Sequence, residues 1–156
     1  MSHPDPSLVD VRTLAEHPMM QRGRTSWRMV ATGSVSNGRF GLVDNVLAAR
    51  SLGPSPHYHQ TFSESFYVMS GELTIYANGS WRPYGAGDFA LVHEHGVHGF
   101  RNDGDEPVSF LILFTPGIAR ELYFAELGEL ARSGRTLTPE EMTAFYARHD
   151  QVMVDG

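Results

Sequence analysis

The strongest constraint on the fold is a series of short β-type runs that are separated by turn residues. Between residues 26 and 115, apolar and β-branched side chains are interrupted by Asn37-Gly38, Asn78-Gly79 and Asp103-Gly104. An Asn-Gly pair tolerates the positive φ angles that a tight hairpin demands. Many short strands at intervals of about eight to twelve residues are typical of a β-sandwich or barrel. The chain is therefore predicted to be all-β.

The clearest predicted strands cover residues 64–70, 73–77, 80–84, 89–93, 97–102 and 107–115. The last of them, PVSFLILFT, is apolar at successive positions, so both of its faces are expected to be covered. A second subunit or the C-terminal segment could supply the outer cover. The open edges of a sandwich must also be paired or covered. Together with an N-terminal arm, these features predict a homodimer.

The two ends of the chain differ from this β-rich middle. Residues 1–25 contain three prolines and little periodicity, which predicts an arm. Residues 117–156 become helical, with one helix ending at Gly134 and a second beginning at Thr138, where a Thr cap precedes Pro139. We expect one domain overall, in which the barrel itself spans residues 26–116.

Composition excludes several classes of function. The formal net charge is -6 and the arginines are scattered, so nucleic-acid binding is not expected. The N-terminus lacks the pattern of a signal peptide and no apolar run is long enough to span a bilayer, which predicts a cytoplasmic protein without membrane contact. Because cysteine is absent, any bound metal must be held by imidazole and carboxylate groups.

Histidine is concentrated in the middle of the chain. Of eight histidines, five lie between positions 57 and 98, namely His57, His59, His93, His95 and His98. Residues two apart on a strand share a face, so His57 and His59 are expected to point together, with Glu64 of the next strand opposite them. His98 would join from a later hairpin. Such a set suits one divalent transition metal (Fe, Ni, Mn, Cu or Zn) and leaves positions for water, oxygen or substrate.

Two motifs in this region resemble those of the cupin family. The spacing His57-x-His59-x4-Glu64-x6-Gly71 is similar to the first cupin motif, and Gly87-x10-His98-x3-Asn102 is similar to the second. The resemblance implies a cupin double-stranded β-helix, or jelly-roll barrel, with an N-terminal arm and two C-terminal helices. It also implies that His57, His59, Glu64 and His98 are the metal ligands, that Gly71 and Gly87 serve turns, and that Asn102 is structural.

The chain departs from the second motif just before His98. His93 and His95 stand where the family has proline and then glycine. They are either additional groups of the pocket, alternative ligands, or exposed histidines of a loop. The shape of the loop at residues 94–96 is left open.

Among cupins, the segments ESFYVMSGELTIYANG and GDFALVHEHGVHGFRNDGDEP resemble the bacterial quercetinase branch. This resemblance implies a metal-dependent dioxygenase that acts on a small aromatic or enolisable substrate, with Glu64 as both ligand and catalytic proton acceptor. A non-redox isomerase, cyclase or hydrolase is an alternative, and so is a cupin that binds a small molecule without turnover. The candidate pocket residues are Phe66, Val68, Phe100, Phe40 and Tyr76, together with His93 and His95.

Overall fold

The computed structural model describes residues 3–5, 7–117 and 120–154, and strands account for most of its regular structure. One antiparallel sheet has six strands in the spatial order β1 (Met20–Arg22), β2 (Thr25–Ala31), β3 (Gly41–Leu47), β11 (Val108–Thr115), β6 (Ser63–Ser70) and β9 (Phe89–Val92). A second has four in the order β4 (Ser51–Leu52), β10 (Gly99–Asn102), β7 (Glu72–Ala77) and β8 (Ser80–Gly85). A two-stranded ribbon joins β5 (His57–Tyr58) to β12 (Val152–Met153).

The two larger sheets pack face to face through aromatic side chains. Phe66 of β6 and Phe110 of β11 lie against Phe100 of β10, with ring centroids 5.4 and 5.3 Å from the Phe100 ring. Along β11, every second residue is buried and the others are half-buried, as expected for a strand inside a sandwich. The predicted all-β class is confirmed.

Turn chemistry sets the register of the β7–β8 hairpin. Ala77 pairs with Ser80, and the two residues between them, Asn78 and Gly79, have φ angles of 52° and 82°. Positive φ at both central positions is what a two-residue hairpin of type I′ requires. The predicted Asn-Gly turn is thus confirmed.

Two helices follow the sandwich, as predicted. α1 (Arg120–Ser133) packs on the six-stranded sheet, with the Phe124 ring 6.1 Å from Trp27 and 6.0 Å from Phe114. α2 (Pro139–Arg148) begins with the predicted Thr138 cap, whose hydroxyl accepts a hydrogen bond from the Glu141 amide. Within the described ranges, no helix is both long and apolar enough to cross a membrane.

Both ends of the chain contribute structure beyond the predicted strands. A short 3-10 helix (Leu14–Glu16) and β1 fall within residues 1–25, the segment expected to be an arm. After α2 the chain returns to the sandwich, and β12 pairs Val152 with Tyr58 and Met153 with His57. The C-terminal strand therefore lies directly beside the first histidine of the H-x-H pair.

Candidate metal centre

His57 and His98 are brought together by an isolated antiparallel bridge. The His57 amide donates to the His98 carbonyl at 2.8 Å, and the His98 amide donates to the His57 carbonyl at 2.9 Å. Residues that exchange both backbone hydrogen bonds carry neighbouring side chains. The two imidazole centroids are accordingly 4.4 Å apart, although the residues are distant in sequence.

His59 and Glu64 complete the cluster. Glu64 lies near the start of β6, and its Oε2 is 3.0 Å from His59 Nε2 and 2.8 Å from His98 Nε2. One donor atom from each of the four residues lies within 4.8 Å of all the others. Two ligands on opposite sides of an ion with bonds of about 2.1 Å would be about 4.2 Å apart. Small side-chain adjustments would therefore bring all four onto one ion, and all four are buried.

Backbone carbonyls fix the orientation of the three imidazoles. The Nδ1 atoms lie 2.7 Å from the carbonyl oxygen of Ser55 for His57, 2.6 Å from that of Asp150 for His59, and 3.0 Å from that of Gly96 for His98. A carbonyl oxygen can only accept, so each Nδ1 carries hydrogen and each neutral ring offers its Nε2 lone pair to the interior. Such hydrogen bonds hold metal-ligating histidines in the correct tautomer.

The arrangement around Glu64 requires a positive charge. Two Nε2 atoms point at the same carboxylate oxygen, and their lone pairs would repel it unless a proton or a metal ion lies between them. Three imidazoles and one carboxylate are ligands that divalent transition metals accept. The group could therefore hold one metal ion, and the chemistry of its donors fits such an ion.

The pKa values of the cluster reflect burial and mutual charge. Burial, reinforced by His98, lowers the pKa of His57 to about 3. Burial alone would raise the pKa of Glu64, but the charge of His98 and hydrogen bonds from His59 and His98 hold it well below its usual range. Burial opposes protonation of His98, but the Glu64 carboxylate outweighs it and raises the pKa of His98. Before metal binding, the cluster thus favours a shared proton between His98 and Glu64.

A cavity of about 620 Å³ adjoins the cluster. His57 and Glu64 form part of its wall, and Phe100, Phe114 and Tyr123 contribute aromatic surface. Its size and mixed lining are typical of a site for a small organic molecule.

The predicted pocket residues are distributed over several environments. Phe100 lines the cavity. Phe66 and Val68 are fully buried in the core, with the Phe66 ring 5.9 Å from that of His98. Phe40 is half-buried outside the cavity lining, and Tyr76 packs on Trp81 across the β7–β8 hairpin. The structure thus brings only Phe100 of these five to the cavity surface.

His93 and His95 are exposed and stand apart from the four clustered residues. They lie in a tight turn, in which His95 has a φ of 66° and the Gly96 amide donates to the His93 carbonyl. The His95 amide also donates to the His59 carbonyl at 2.7 Å. The loop therefore supports the cluster through its backbone, while both imidazoles are exposed and are not among the four clustered donors.

Two contributions to the site had no clear signal in the sequence. Arg120 of α1 is buried in the cavity wall, where its guanidinium donates to the His149 carbonyl and to Gln151 Oε1, at 3.2 Å each. Asp150 supplies the carbonyl that orients His59. The contacts of Arg120 and of Asp150 both depend on the return of the C-terminal segment to the sandwich. No local sequence pattern around residues 149–151 predicts that return.

Comparison with known proteins identifies the fold family. The sequence profile described as "Cupin domain" matches residues 46–114, which include all four clustered side chains. This stretch, a little under half of the chain, is similar to a cupin domain. The predicted family is confirmed, and the residues implied to serve its turns behave as expected, since Gly71 and Gly87 have φ angles of 75° and 91°.

Asn102 links three backbone segments. Its buried amide nitrogen donates to the carbonyls of Leu47, Ala48 and Glu106, and its oxygen accepts from the Gly104 amide at 2.9 Å. These contacts account for the structural role that the family resemblance implies.

Among curated proteins, the chain is similar to quercetin 2,3-dioxygenase of Bacillus subtilis (strain 168), with 29% identity over 131 residues. The alignment covers 81% of this chain but 36% of the relative, so the chain spans about a third of that protein's length. An uncharacterized protein of Aquifex aeolicus (strain VF5) is 33% identical over 61 residues, which are 39% of this chain and 50% of the relative. The predicted resemblance to the quercetinase branch is thereby confirmed.

Solved structures show the same fold with diverse chemistries. Ectoine synthase from P. lautus superposes with a TM-score of 0.61 at 19% identity and covers 76% of this chain and 86% of its own. A polyketide cyclase from Streptomyces resistomycificus gives a TM-score of 0.60 at 17% identity and covers 69% and 80%. At these identities the likeness establishes the fold and leaves the reaction open.

Proposed function

We propose that this chain is a metal-dependent dioxygenase that acts on a small aromatic or enolisable compound. The observation that carries the proposal is the buried cluster of three oriented imidazoles and one carboxylate at the wall of a cavity of about 620 Å³. The sequence similarity to quercetin 2,3-dioxygenase supports the choice of reaction.

His57, His59, Glu64 and His98 would hold the metal, which would be one of Fe, Ni, Mn, Cu or Zn. When bound, such an ion polarises a coordinated enol or phenol oxygen and supplies a site at which dioxygen meets the substrate. The imidazoles are already held in the tautomer that this role requires, because their Nδ1 atoms donate to backbone carbonyls.

Glu64 is the proposed catalytic residue. Its pKa lies well below the usual range, so it is an anion at neutral pH, and it lines the cavity in which a substrate hydroxyl would sit. A carboxylate with one oxygen free can accept the hydroxyl proton as the substrate binds. The aromatic walls around it would exclude water from the deprotonated substrate.

Oxygen consumption is the direct test of the reaction. Purified protein with its metal is mixed with a panel of phenols and enols in an oxygen electrode, and substrate-dependent uptake is expected. The Glu64→Gln variant should consume oxygen at least about a hundredfold more slowly, since loss of a general base costs 10²–10⁴. His93→Ala is the matched control, because His93 is exposed and outside the cluster.

Two outcomes would replace the dioxygenase. Turnover of a substrate under strict anaerobiosis would assign the site to a non-redox isomerase, cyclase or hydrolase. Saturable binding of a small molecule that yields no product under either aerobic or anaerobic conditions would indicate a binding protein.

We further propose that the protein is a homodimer. Leu8, Val9, Val11 and Leu14 near the N-terminus are 67–80% exposed, an arrangement better suited to contact with a second copy than to water. Light scattering at micromolar concentration should give twice the mass of 17.3 kDa. A mass of one chain would contradict the dimer.

A further inference from the structure

The buried guanidinium of Arg120 is not explained by the metal site. Arg120 is 4% exposed and lies against the Tyr123 ring, with Cζ 3.7 Å from its centroid. Phe62, Phe114 and Phe124 surround the same group at 5.4–5.9 Å. Its two hydrogen bonds go to neutral acceptors, a carbonyl and a side-chain amide.

Arg120 therefore keeps a free hydrogen-bond donor and a positive charge that an anionic ligand could pair. Its buried Nε has no hydrogen-bond partner among residues 3–5, 7–117 and 120–154, and no ion pair of Arg120 occurs within those ranges. Burying a charge without a counter-ion is costly, so such groups are found paired or at sites where a ligand pairs them. Arg120 shares the cavity wall with His57 and Glu64.

The charged side chains of the cavity wall also favour the binding of an anion. Arg22, Arg24, Arg50 and Arg120 all line it, and among the described residues of its lining Glu64 is the only acidic one. The chain as a whole has a formal net charge of -6, so this concentration of cations runs against its overall charge. Arg50 forms an exposed ion pair with Asp105 at 2.7 Å. Arg120 has no such partner among the described residues and is the most buried of the four arginines. A divalent ion bound at Glu64 would make the wall still more positive.

We infer that the substrate carries a carboxylate, which binds the Arg120 guanidinium while its enol or phenol group faces the metal ligands. A planar guanidinium is suited to carboxylate recognition, and its free Nε–H supplies a donor for it. The substrate class is thus a small aromatic or enolisable carboxylic acid. This inference rests on the proposed function for the enol or phenol group, but the carboxylate contact can be tested by binding alone.

Benzoate and benzamide are the probes, because they share size and shape and differ in charge. Each is titrated calorimetrically into the full chain, both with its metal and after dialysis against a chelator. Benzoate is expected to bind the wild type at least about tenfold more tightly than benzamide in both states, since hydrogen bonds to charged groups are the strong ones. Equal affinities, including the absence of binding by either probe, would overturn the inference.

The Arg120→Met variant keeps the volume of the side chain and removes its charge. It should bind benzoate about ten- to a hundredfold more weakly and benzamide as before. Arg82→Met is the matched control, since Arg82 is exposed on β8 and outside the cavity lining, and it should behave as the wild type. An Arg120→Met variant that retains wild-type affinity for benzoate would refute the contact.

A measurement on the unmodified chain covers the case in which Arg120→Met does not fold. In ¹⁵N-labelled protein, the buried Nε–H of Arg120 should give a slowly exchanging signal that shifts with benzoate and not with benzamide. A signal that stays fixed at saturating benzoate would overturn the inference. Because neither readout needs turnover, failure of the dioxygenase assay leaves this test intact.

Discussion

Replacing Asp150 by alanine should lower both the stability of the protein and its affinity for metal, although Asp150 is not one of the proposed metal ligands. The Asp150 carboxylate accepts hydrogen bonds from the amides of Gln60 and Thr61 at 3.0 and 2.8 Å, and from the Thr61 hydroxyl at 2.6 Å. The carbonyl of the same residue holds His59 Nδ1 at 2.6 Å. One residue thus ties the C-terminal segment to the loop that follows the H-x-H pair.

The size of the effect follows from these contacts. Hydrogen bonds to a charged group contribute about 1.5–3 kcal/mol each when buried, but Asp150 is half-buried and water would replace part of the loss. We expect the loss of these hydrogen bonds to lower the free energy of unfolding by about 2 kcal/mol. Alanine would add about 1 kcal/mol of strain, because the φ of Asp150 is 53°. Asp150→Ala keeps the carbonyl that contacts His59 but frees the segment that positions this carbonyl, so metal binding should weaken by at most about 10–100-fold, the range for loss of an outer-shell partner.

Urea unfolding of the metal-free protein and competition with a chromophoric chelator measure the two effects. Asp150→Asn, which keeps one acceptor oxygen and tolerates positive φ, should lose less than Asp150→Ala. Asp150→Gly removes the backbone strain and isolates the loss of the carboxylate. Wild-type stability together with wild-type metal affinity in Asp150→Ala would refute the role of this residue.

The contribution of Asp150 should also depend on pH. Burial would raise its pKa, but hydrogen bonds from Thr61 and Gln60 outweigh burial and lower it below 3.8. A carboxyl group with a depressed pKa in the folded state stabilises the protein above its unfolded pKa. The stability difference between wild type and Asp150→Ala should therefore be full above about pH 5 and shrink as the pH falls through the folded pKa.

Two further predictions concern the cluster and the cavity wall. Metal uptake should release a proton held by His98, whose pKa is raised, and none from His57, whose pKa is about 3. The affinity for metal should then rise about tenfold per pH unit until the pH passes the folded pKa of His98. Calorimetric titration with metal in two buffers of different ionisation enthalpy measures the proton release. An affinity for metal that does not change with pH would contradict the prediction. Gly53→Ala should cost about 1–3 kcal/mol in urea unfolding, because its Cβ would lie 2.3 Å from the Phe100 carbonyl oxygen. Gly85→Ala, with open space at its Cβ, should be neutral, and equal effects of the two would argue against this packing.

The convergence of the four clustered residues was predictable because local rules determine most of it. His57 lies in β5 and His59 follows directly after its end, so the alternation of an extended chain puts both on one side, and β6 carries Glu64 toward them. His98 required the family spacing, since its bridge to His57 spans a large sequence separation. Their role as metal ligands stays a prediction until an ion is measured.

The cavity wall was harder to predict, because it depends on register and on the path of the C-terminus. Tyr76 lies on the side of β7 that meets Trp81, while its neighbour Ile75 is in the core, and a shift of one residue decides between the two. Arg120 and Asp150 enter through tertiary packing of a segment far along the chain. Helix periodicity alone could not distinguish a buried arginine in the first turn of α1 from an exposed one.

We propose that His57, His59, Glu64 and His98 together bind one divalent transition metal. Elemental analysis by mass spectrometry of protein purified from its own host tests it most directly, with His57→Ala and His98→Ala compared with the His93→Ala control. We expect about one metal ion per chain in the wild type and in His93→Ala, and less than about a tenth of that in the other two variants. A full complement of metal in both His57→Ala and His98→Ala, or none in the wild type, would contradict the account.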